Sequence, residues 1–201
     1  TRRMTNAEEG ISLLKDHVDT LIVIPNQKVM EVVHDKATLL EAFKVADSVL
    51  TKGTRAIADL ITVPGLINLD FADIKSVMSN AGSALMGVGE AEGDDRAQKA
   101  VEAAICSPLI EVNIDGARGV LINITGGPDL TMAEIEEAAK TITAKTSPDA
   151  NIIFGASIDK ELKDKIKITV IATGFDPNAQ RIYQSFKKPV QQQTTLISDT
   201  A

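Results

Sequence analysis

The apolar residues of this chain follow two periods, and the order of those periods predicts an α/β protein. Segments of continuous or alternating apolar residues, typical of strands, lie at 20–24, 83–89, 119–124, 151–157 and 166–172. Apolar residues spaced by three and four, typical of amphipathic helices, lie at 6–16, 71–79, 94–106 and 132–142, with a further short helix expected at 27–34. Strands and helices in this order favour a sheet with helices packed against it.

The longest helical pattern begins after Thr38 and continues for about 24 residues. Thr38 and Glu41 have the spacing of a capping box, and Val63-Pro64-Gly65 ends the pattern. At a rise of 1.5 Å per residue this helix would be about 36 Å long, which is enough to span a domain or to join two.

These elements predict four parts along the chain. Residues 1–34 have the pattern of the end of one α/β unit, and 35–62 form the long central helix. Residues 63–175 are predicted to be a two-layer α/β domain with a four-stranded mixed sheet. After Gly174 the composition shifts to Asn, Gln, Lys, Ser and Thr, so 176–201 is predicted to be a flexible tail.

Composition narrows the class of protein further. The chain has 201 residues, of which 44% are hydrophobic, and a formal net charge of -7. An acidic chain without a basic stripe argues against nucleic-acid partners. A single cysteine allows no intrachain disulfide and favours a cytoplasmic location, and no apolar run is long enough to insert into a membrane. Because the chain starts at Thr1 without an initiator Met or a signal peptide, we interpret it as a fragment.

Several common catalytic motifs are missing. Gly82 and Gly87 have the spacing of a phosphate-binding loop, but Val88 and Gly89 follow where Lys and Ser or Thr are required. These glycines are better explained by strand-end turns and close packing. His17 and His34 are far apart in sequence, and no metal site is predicted. Cys106 lies near the end of an amphipathic helix and is interpreted as a small core residue.

An acidic loop carries the first positive signal. Asn68, Asp70 and Asp73 place an amide and two carboxylates within six residues at a predicted helix start. Such groups can orient a water molecule or help to hold a cation. On these residues alone a structural role is favoured, because Asp70 suits the N-cap and Asp73 in the first turn is favoured by the helix dipole.

A second pair lies on the long helix. Phe43 and Asp47 are four residues apart and therefore share a face. There the ring could stack on a planar base while the carboxylate accepts hydrogen bonds from a guanine edge. The alternative is that Phe43 belongs to the core and that Asp47 is a solvated charge.

Six stretches of sequence carry a resemblance to a known family. They closely resemble the FtsZ family of bacterial cell-division GTPases, homologues of tubulin, and the resemblance extends over residues 2–174 without large gaps. The stretches lie at 4–10, 19–26, 64–73, 107–109, 119–127 and 170–174. The most specific of them is Pro64-Gly65-Leu66-Ile67-Asn68-Leu69-Asp70-Phe71-Ala72-Asp73.

The resemblance implies a role for each candidate residue. Residues 1–34 would then be the end of a Rossmann-like GTP-binding domain. The family splits its active site between subunits of a head-to-tail filament, and its cofactors are GTP and GDP, with Mg2+ carried by the nucleotide. By position, Asn68, Asp70 and Asp73 resemble the catalytic loop that enters the neighbour's nucleotide pocket. Residues resembling contacts to the nucleotide are Phe43 and Asp47 for the guanine and Arg3 and Asn26 for the ribose and phosphate side.

The resemblance also implies partners, a location and limits. The expected partner is a second copy in a filament of bacterial cytokinesis, located in the cytoplasm at the midcell division ring. The family's glycine-rich phosphate loop is absent, so the chain alone is expected to be inactive. The family's C-terminal peptide, which binds membrane-tethering and division proteins, is not recognisable in 196–201. Two alternatives remain open: a non-catalytic module that caps filaments, and a tubulin-superfamily GTPase with a role outside division.

Overall fold

A computed structural model describes residues 2–24, 38–63, 65–106, 114 and 116–175. Ten helices and strands occupy these ranges, in an order close to the predicted one. The helices are α1 (Arg2–Lys15), α2 (Leu39–Thr62), α3 (Phe71–Met78), α4 (Arg96–Ile105) and α5 (Met132–Thr143), and the strands are β1 (Thr20–Ile22), β2 (Gly82–Glu92), β3 (Gly119–Gly126), β4 (Asn151–Ile158) and β5 (Lys165–Thr173). The helix expected at 27–34 and the tail at 176–201 lie outside the described residues.

The sheet is mixed, as predicted, but it has five strands rather than four. Its order is β1-β2-β5-β3-β4. Strand β5 is antiparallel to both β2 and β3, whereas β4 is parallel to β3. The fifth strand is β1, which the sequence assigned to the preceding unit and which pairs in parallel with the first residues of β2, from Thr20 opposite Gly82. A strand of three residues can join a neighbouring sheet wherever a partner offers a free edge.

Helices cover both faces of the sheet, and each face has its own hydrophobic cluster. The larger cluster joins α4 and α5 to β3 and β5, and it includes Val101, Ile122 and Ile142. The smaller cluster lies on the opposite face, where Leu60 of α2 and Ile74 and Val77 of α3 contact Leu121 and Ile171. The acidic loop connects α2 to α3, so the smaller cluster anchors the elements on both sides of that loop.

Two helices begin at capping boxes, of which the one at Thr38 was predicted above. Thr38 and Glu41 form a complete capping box at α2, and Thr131 and Glu134 form one at α5. In each box the threonine hydroxyl accepts from the glutamate N–H, while the glutamate carboxylate accepts from the threonine N–H. These bonds satisfy donors that would otherwise lack a helical partner. The 24 residues of α2 match the predicted length.

Arg96 ties α4 to α5. Its guanidinium lies 2.6 Å (Nε to Oε1) from Glu134 and 2.5 Å (Nη1 to Oδ2) from Asp129, and the residue is only 8% exposed. The hydrogen bond from Arg96 holds the pKa of Glu134 below its usual value, with help from Thr131 and against the effect of partial burial. The hydrogen bond to Glu134 in turn raises the pKa of Arg96. A bidentate pair of this kind fixes both spacing and orientation.

Several local predictions were wrong, each for a physical reason. Helix α1 begins at Arg2 and not at residue 6, where the predicted helix starts, because the preceding residues are adequate helix formers and extend it. Cys106 is exposed, because the buried face of α4 ends one residue earlier at Ile105. The alternation of apolar and polar residues in the strand pattern at 166–172 predicts an outward Thr169, yet this residue is 2% exposed because β5 is an inner strand with helices on both faces.

The packing interpretation of the glycines is supported at Gly89. A Cβ at this position would lie 2.0 Å from the carbonyl oxygen of Ala100, so only glycine lets β2 approach α4 this closely. In the parts of the chain that the structure describes, no helix is long and apolar enough to cross a membrane.

Candidate functional site

The acidic loop is an extended segment laid along the edge strand β4. Ile67 and Ala156 exchange two backbone hydrogen bonds, of 3.1 Å from the Ile67 N–H and 3.0 Å from the Ala156 N–H, in an antiparallel bridge. Burial alternates along the loop, with residues 65, 67 and 69 half-buried and residues 66, 68 and 70 exposed. This period of two is that of a β-strand, and it turns Asn68 and Asp70 outward together.

Asp70 and Asp73 form a reciprocal capping box at the start of α3. The Asp73 N–H donates to Asp70 Oδ1 at 2.7 Å, and the Asp70 N–H donates to Asp73 Oδ2 at 3.2 Å. The predicted N-cap role of Asp70 is therefore confirmed. Each carboxylate uses one oxygen in the box, and its second oxygen lies outside it. A capping role and a role towards a ligand are compatible in this geometry.

Helix α3 is fixed at its far end as well as by its core face. Ile74 and Val77 are buried in the smaller cluster. The buried Thr173 hydroxyl donates to the Val77 carbonyl oxygen at 2.9 Å, and Thr20 of β1 donates to the Met78 carbonyl oxygen. Helix α3, which begins beside Asp70 and Asp73, is thus held in place through its core face and its far end.

The side chain of Asn68 is oriented by its own loop. Its Oδ1 accepts a hydrogen bond of 2.5 Å from the Gly65 N–H, which leaves the amide nitrogen as a donor on the exposed side. Asn68, Asp70 and Asp73 therefore present one amide donor and two carboxylate oxygens near one another. Such a set can orient a water molecule for attack or contact an oxygen-liganded cation.

Two apolar side chains flank this polar set, and the sequence analysis did not single them out. Leu66 and Phe71 are both among the most exposed large hydrophobic residues of the described chain. The signal that could have found them is the alternation of the loop, which places Leu66 on the outward side with Asn68 and Asp70. Exposed apolar residues beside exposed acids are typical of a surface that another molecule covers.

The second candidate pair lies on α2. Phe43 is 61% exposed, so the interpretation of this ring as a core residue is wrong. Asp47 is also exposed, and both belong to the first half of the helix. Among the α2 residues whose burial is described, the buried ones are Gly53, Ala56 and Leu60 in the second half of the helix. The pair thus forms an open, mixed aromatic and acidic face.

The two candidate sets lie at opposite ends of α2. Phe43 is in the first turns of the helix, whereas the acidic loop follows its last residue, Thr62. At 1.5 Å per residue, the helix separates them by about 28 Å. One nucleotide could not contact Phe43 and Asp70 of the same copy.

The two remaining candidate residues, Arg3 and Asn26, contribute less to the candidate site. Arg3 is exposed on α1, whereas Asn26 lies outside the described residues. Among the residues that the structure describes, no three His, Cys, Asp or Glu side chains are grouped to hold a metal ion.

The fold and the candidate site together define a class of protein. It is a mixed α/β domain in which an acidic loop connects a long helix to a short one. Residues 82–176 match the model of the FtsZ family, C-terminal domain. Cell division protein FtsZ of Rickettsia bellii (strain RML369-C) is 52% identical over 198 residues, which cover 98% of this chain and 42% of that protein. The chain thus spans less than half the length of this curated relative.

Solved structures agree with this assignment. An FtsZ dimer of M. jannaschii matches with a TM-score of 0.80 and 48% identity, over 86% of this chain and 50% of that one. A point mutant of FtsZ from the same organism matches with a TM-score of 0.80 and 47% identity, over 86% of this chain and 52% of the mutant. The chain belongs to the FtsZ family and represents a C-terminal portion of it.

Proposed function

We propose that this chain is part of a filament-forming GTPase of bacterial cell division, and that its acidic loop acts on GTP held by the next copy in the filament. The observation that carries the proposal is that the Phe43 face and the acidic loop lie at opposite ends of α2, along which Phe43 and Thr62 are about 28 Å apart by the helical rise. Two halves of one site at opposite ends of a copy can meet only when copies stack head to tail. A head-to-tail contact that does not close into a ring propagates as a filament.

In this proposal the Phe43 face binds the base. The Phe43 ring stacks on guanine while Asp47 accepts from its N–H groups, as an exposed aromatic ring and an exposed carboxylate on one helix face allow. Arg3 and Asn26 contact the ribose and phosphate side of the same nucleotide. Residues 1–34 then belong to the GTP-binding domain, 35–62 to the central helix, 63–175 to the domain that carries the acidic loop, and 176–201 to a linker.

The acidic loop acts on the neighbour's γ-phosphate. Asp70 and Asp73 each have one carboxylate oxygen outside the capping box, and these oxygens orient the attacking water while Asn68 donates from its amide. Mg2+ bound with the nucleotide would neutralise phosphate charge, and the outward carboxylate oxygens of Asp70 and Asp73 are ligands of the kind that it accepts. Leu66 and Phe71 are covered when the neighbouring copy docks, which excludes water around the reacting groups.

Further expectations follow from membership of the family. The assembled protein would act in the cytoplasm at the midcell division ring, and longer forms would bind division proteins through a C-terminal peptide. The isolated chain, without a phosphate-binding loop, would show little GTP turnover.

The test uses a fusion in which this chain follows the N-terminal residues of the Rickettsia bellii relative. Asp70→Asn removes the charge but keeps an N-cap residue, so stability should change by less than about 0.5 kcal/mol. GTP turnover per polymerised subunit should fall about 100- to 10,000-fold, the range for a positioned proton acceptor. Asp73→Asn should have the same effects on stability and on GTP turnover.

Thr131→Ala is the matched control, because it removes the N-cap of α5, far from the loop. It should cost about 1 kcal/mol of stability and leave turnover unchanged. If Asp70→Asn polymers, verified by sedimentation, hydrolyse GTP at the normal rate, the assignment of the catalytic loop is wrong.

A further inference from the structure

The acidic loop has no regular secondary structure of its own, so its conformation depends on what it rests against. Its only backbone pairing with the sheet, among the described residues, is the Ile67–Ala156 bridge to the edge strand β4. Leu69 packs towards the smaller cluster beside Gly155. The edge of β4 therefore determines the conformation of the loop.

Two glycines allow this close approach. A Cβ on Gly65 would lie 2.4 Å from the Ala156 carbonyl oxygen, which is backbone and cannot turn away. A Cβ on Gly155 would lie 3.1 Å from Leu69 Cγ and 3.3 Å from the Ile67 carbonyl oxygen. Neither glycine is among those with positive φ, so both are needed for space and not for backbone conformation. The first substitution would force the loop off β4, and the second would shift it by a few tenths of an ångström.

The bridge also determines which side chains face outward. In a paired extended segment, a slip of one residue moves every side chain to the opposite face. A slip here would turn Asn68 and Asp70 towards the sheet and Ile67 and Leu69 outward. Only the observed register presents the amide and the carboxylate on one exposed side.

We propose that the edge of β4 positions the catalytic loop, with the Ile67–Ala156 bridge setting the register and Gly65 and Gly155 providing the space for it. These four residues are positioning residues, which act through Asn68 and Asp70. The proposal rests on the proposed function, since it concerns the same loop and the same hydrolysis.

The test compares steady-state GTP hydrolysis by fusion proteins carrying graded substitutions. Gly65→Ala should lower kcat about 100-fold, since a displacement near 1 Å in a positioned group has an effect of that order. Gly155→Ala, which requires a smaller shift, should lower kcat about 3- to 10-fold. The KM for GTP should stay within about twofold, because the nucleotide is held by the other end of the neighbouring copy.

Ala156→Pro tests the bridge without changing either glycine, because proline lacks the N–H that residue 156 donates to the Ile67 carbonyl oxygen. Phe154→Pro is its matched control, since residue 154 presents its N–H to the same side of the strand but lies outside the bridge. Gly10→Ala controls for glycine substitution itself, because a Cβ there meets no atom within 4 Å. Amide exchange of Ile67 and Ala156 in the 201-residue chain reports independently whether the bridge is open.

The positioning role is supported if kcat falls more for Gly65→Ala than for Gly155→Ala, with polymer mass and KM maintained and with faster exchange at the bridge. It is overturned if Ala156→Pro, folded and polymerised, hydrolyses GTP as fast as Phe154→Pro. An unchanged rate of GTP hydrolysis in Asp70→Asn would refute the proposed function, and the positioning role would fall with it. A lowered rate of GTP hydrolysis in Asp70→Asn together with an unchanged rate in Ala156→Pro would refute the positioning role alone.

Discussion

The regions before and after the acidic loop bury their apolar residues to very different extents. All eleven of the largest fully buried side chains lie between Val101 and Ile171. In contrast, nine of the thirteen large hydrophobic residues exposed in the described chain lie at or before Val63. Helix α1 has no buried residue, although Leu13 and Leu14 are apolar.

The difference shows where the stability of this chain resides. The region after the loop contributes every buried residue of the larger cluster and four of the five in the smaller one, whereas α1 and the first half of α2 expose apolar residues such as Leu14 and Phe43. Among the α2 residues whose burial is described, Ala56 and Leu60 are buried hydrophobic residues, and Leu60 belongs to the smaller cluster. Substitutions in the two regions should therefore differ in their effect on the free energy of unfolding, and paired variants can test this.

The largest difference is expected between Ile122→Ala and Leu13→Ala. Ile122 is fully buried on β3, so its truncation should cost about 2–5 kcal/mol of the free energy of unfolding. Leu13 is 65% exposed, and its truncation should change that free energy by less than about 0.5 kcal/mol. Urea unfolding followed by circular dichroism measures both. Similar losses in the two variants would refute the contrast between the regions.

A somewhat smaller difference is expected between Arg96→Ala and Arg55→Ala. Loss of the Arg96 guanidinium leaves the partly buried Glu134 carboxylate without its charged partner, which should cost about 3 kcal/mol. Arg55 lies 3.8 Å from Asp59 on the exposed side of α2, and its loss should cost less than about 1 kcal/mol.

The loss in Arg96→Ala should depend on pH. Because the folded pKa of Glu134 lies below its ordinary value of 4.5, its contribution is complete above that value and is lost as pH falls through the lower folded pKa. The difference in unfolding free energy between wild type and Arg96→Ala should therefore be constant near pH 7 and should shrink below about pH 4.5. A difference that does not change down to pH 2 would mean that the ion pair is not its source.

The smallest difference is expected between two glycine substitutions whose effects on stability have opposite signs. Gly89→Ala should cost about 1–3 kcal/mol, because its Cβ would meet the backbone of α4. Gly10→Ala on α1 should instead stabilise by about 0.5–1 kcal/mol, because alanine is the better helix former and no atom lies within reach. Thermal midpoints are sufficient to show the two signs, and a loss in Gly10→Ala would mean that its helix face is covered.

Local rules predicted much of the fold. The capping boxes at Thr38 and Thr131 and the N-cap at Asp70 depend on residues three apart, and all three are present. The buried face of α4 also followed from its helical spacing, with Ala97, Ala100 and Val101 buried. Such features need no knowledge of the rest of the chain.

The features that sequence reasoning missed depend on contacts between distant residues. Pairing of β1 with β2 gives the sheet its fifth strand, and no local pattern specifies it. The Ile67–Ala156 bridge has the same origin. The composition of the candidate site could be predicted, and alternation in the loop indicates which side chains share a face, but the pairing of the loop with β4 could not be predicted because it depends on the partner strand.

The central claim is that one active site is built from two copies, and mixing two inactive variants of the fusion protein tests it most directly. Asp47→Ala impairs the base-binding end, and Asp70→Asn impairs the acidic loop at the other end. In head-to-tail filaments of an equal mixture, about one contact in four joins an intact Asp47 to an intact Asp70. We predict that the mixture recovers about one quarter of the wild-type GTP turnover, and a rate no higher than the average of the two variants alone would contradict the claim.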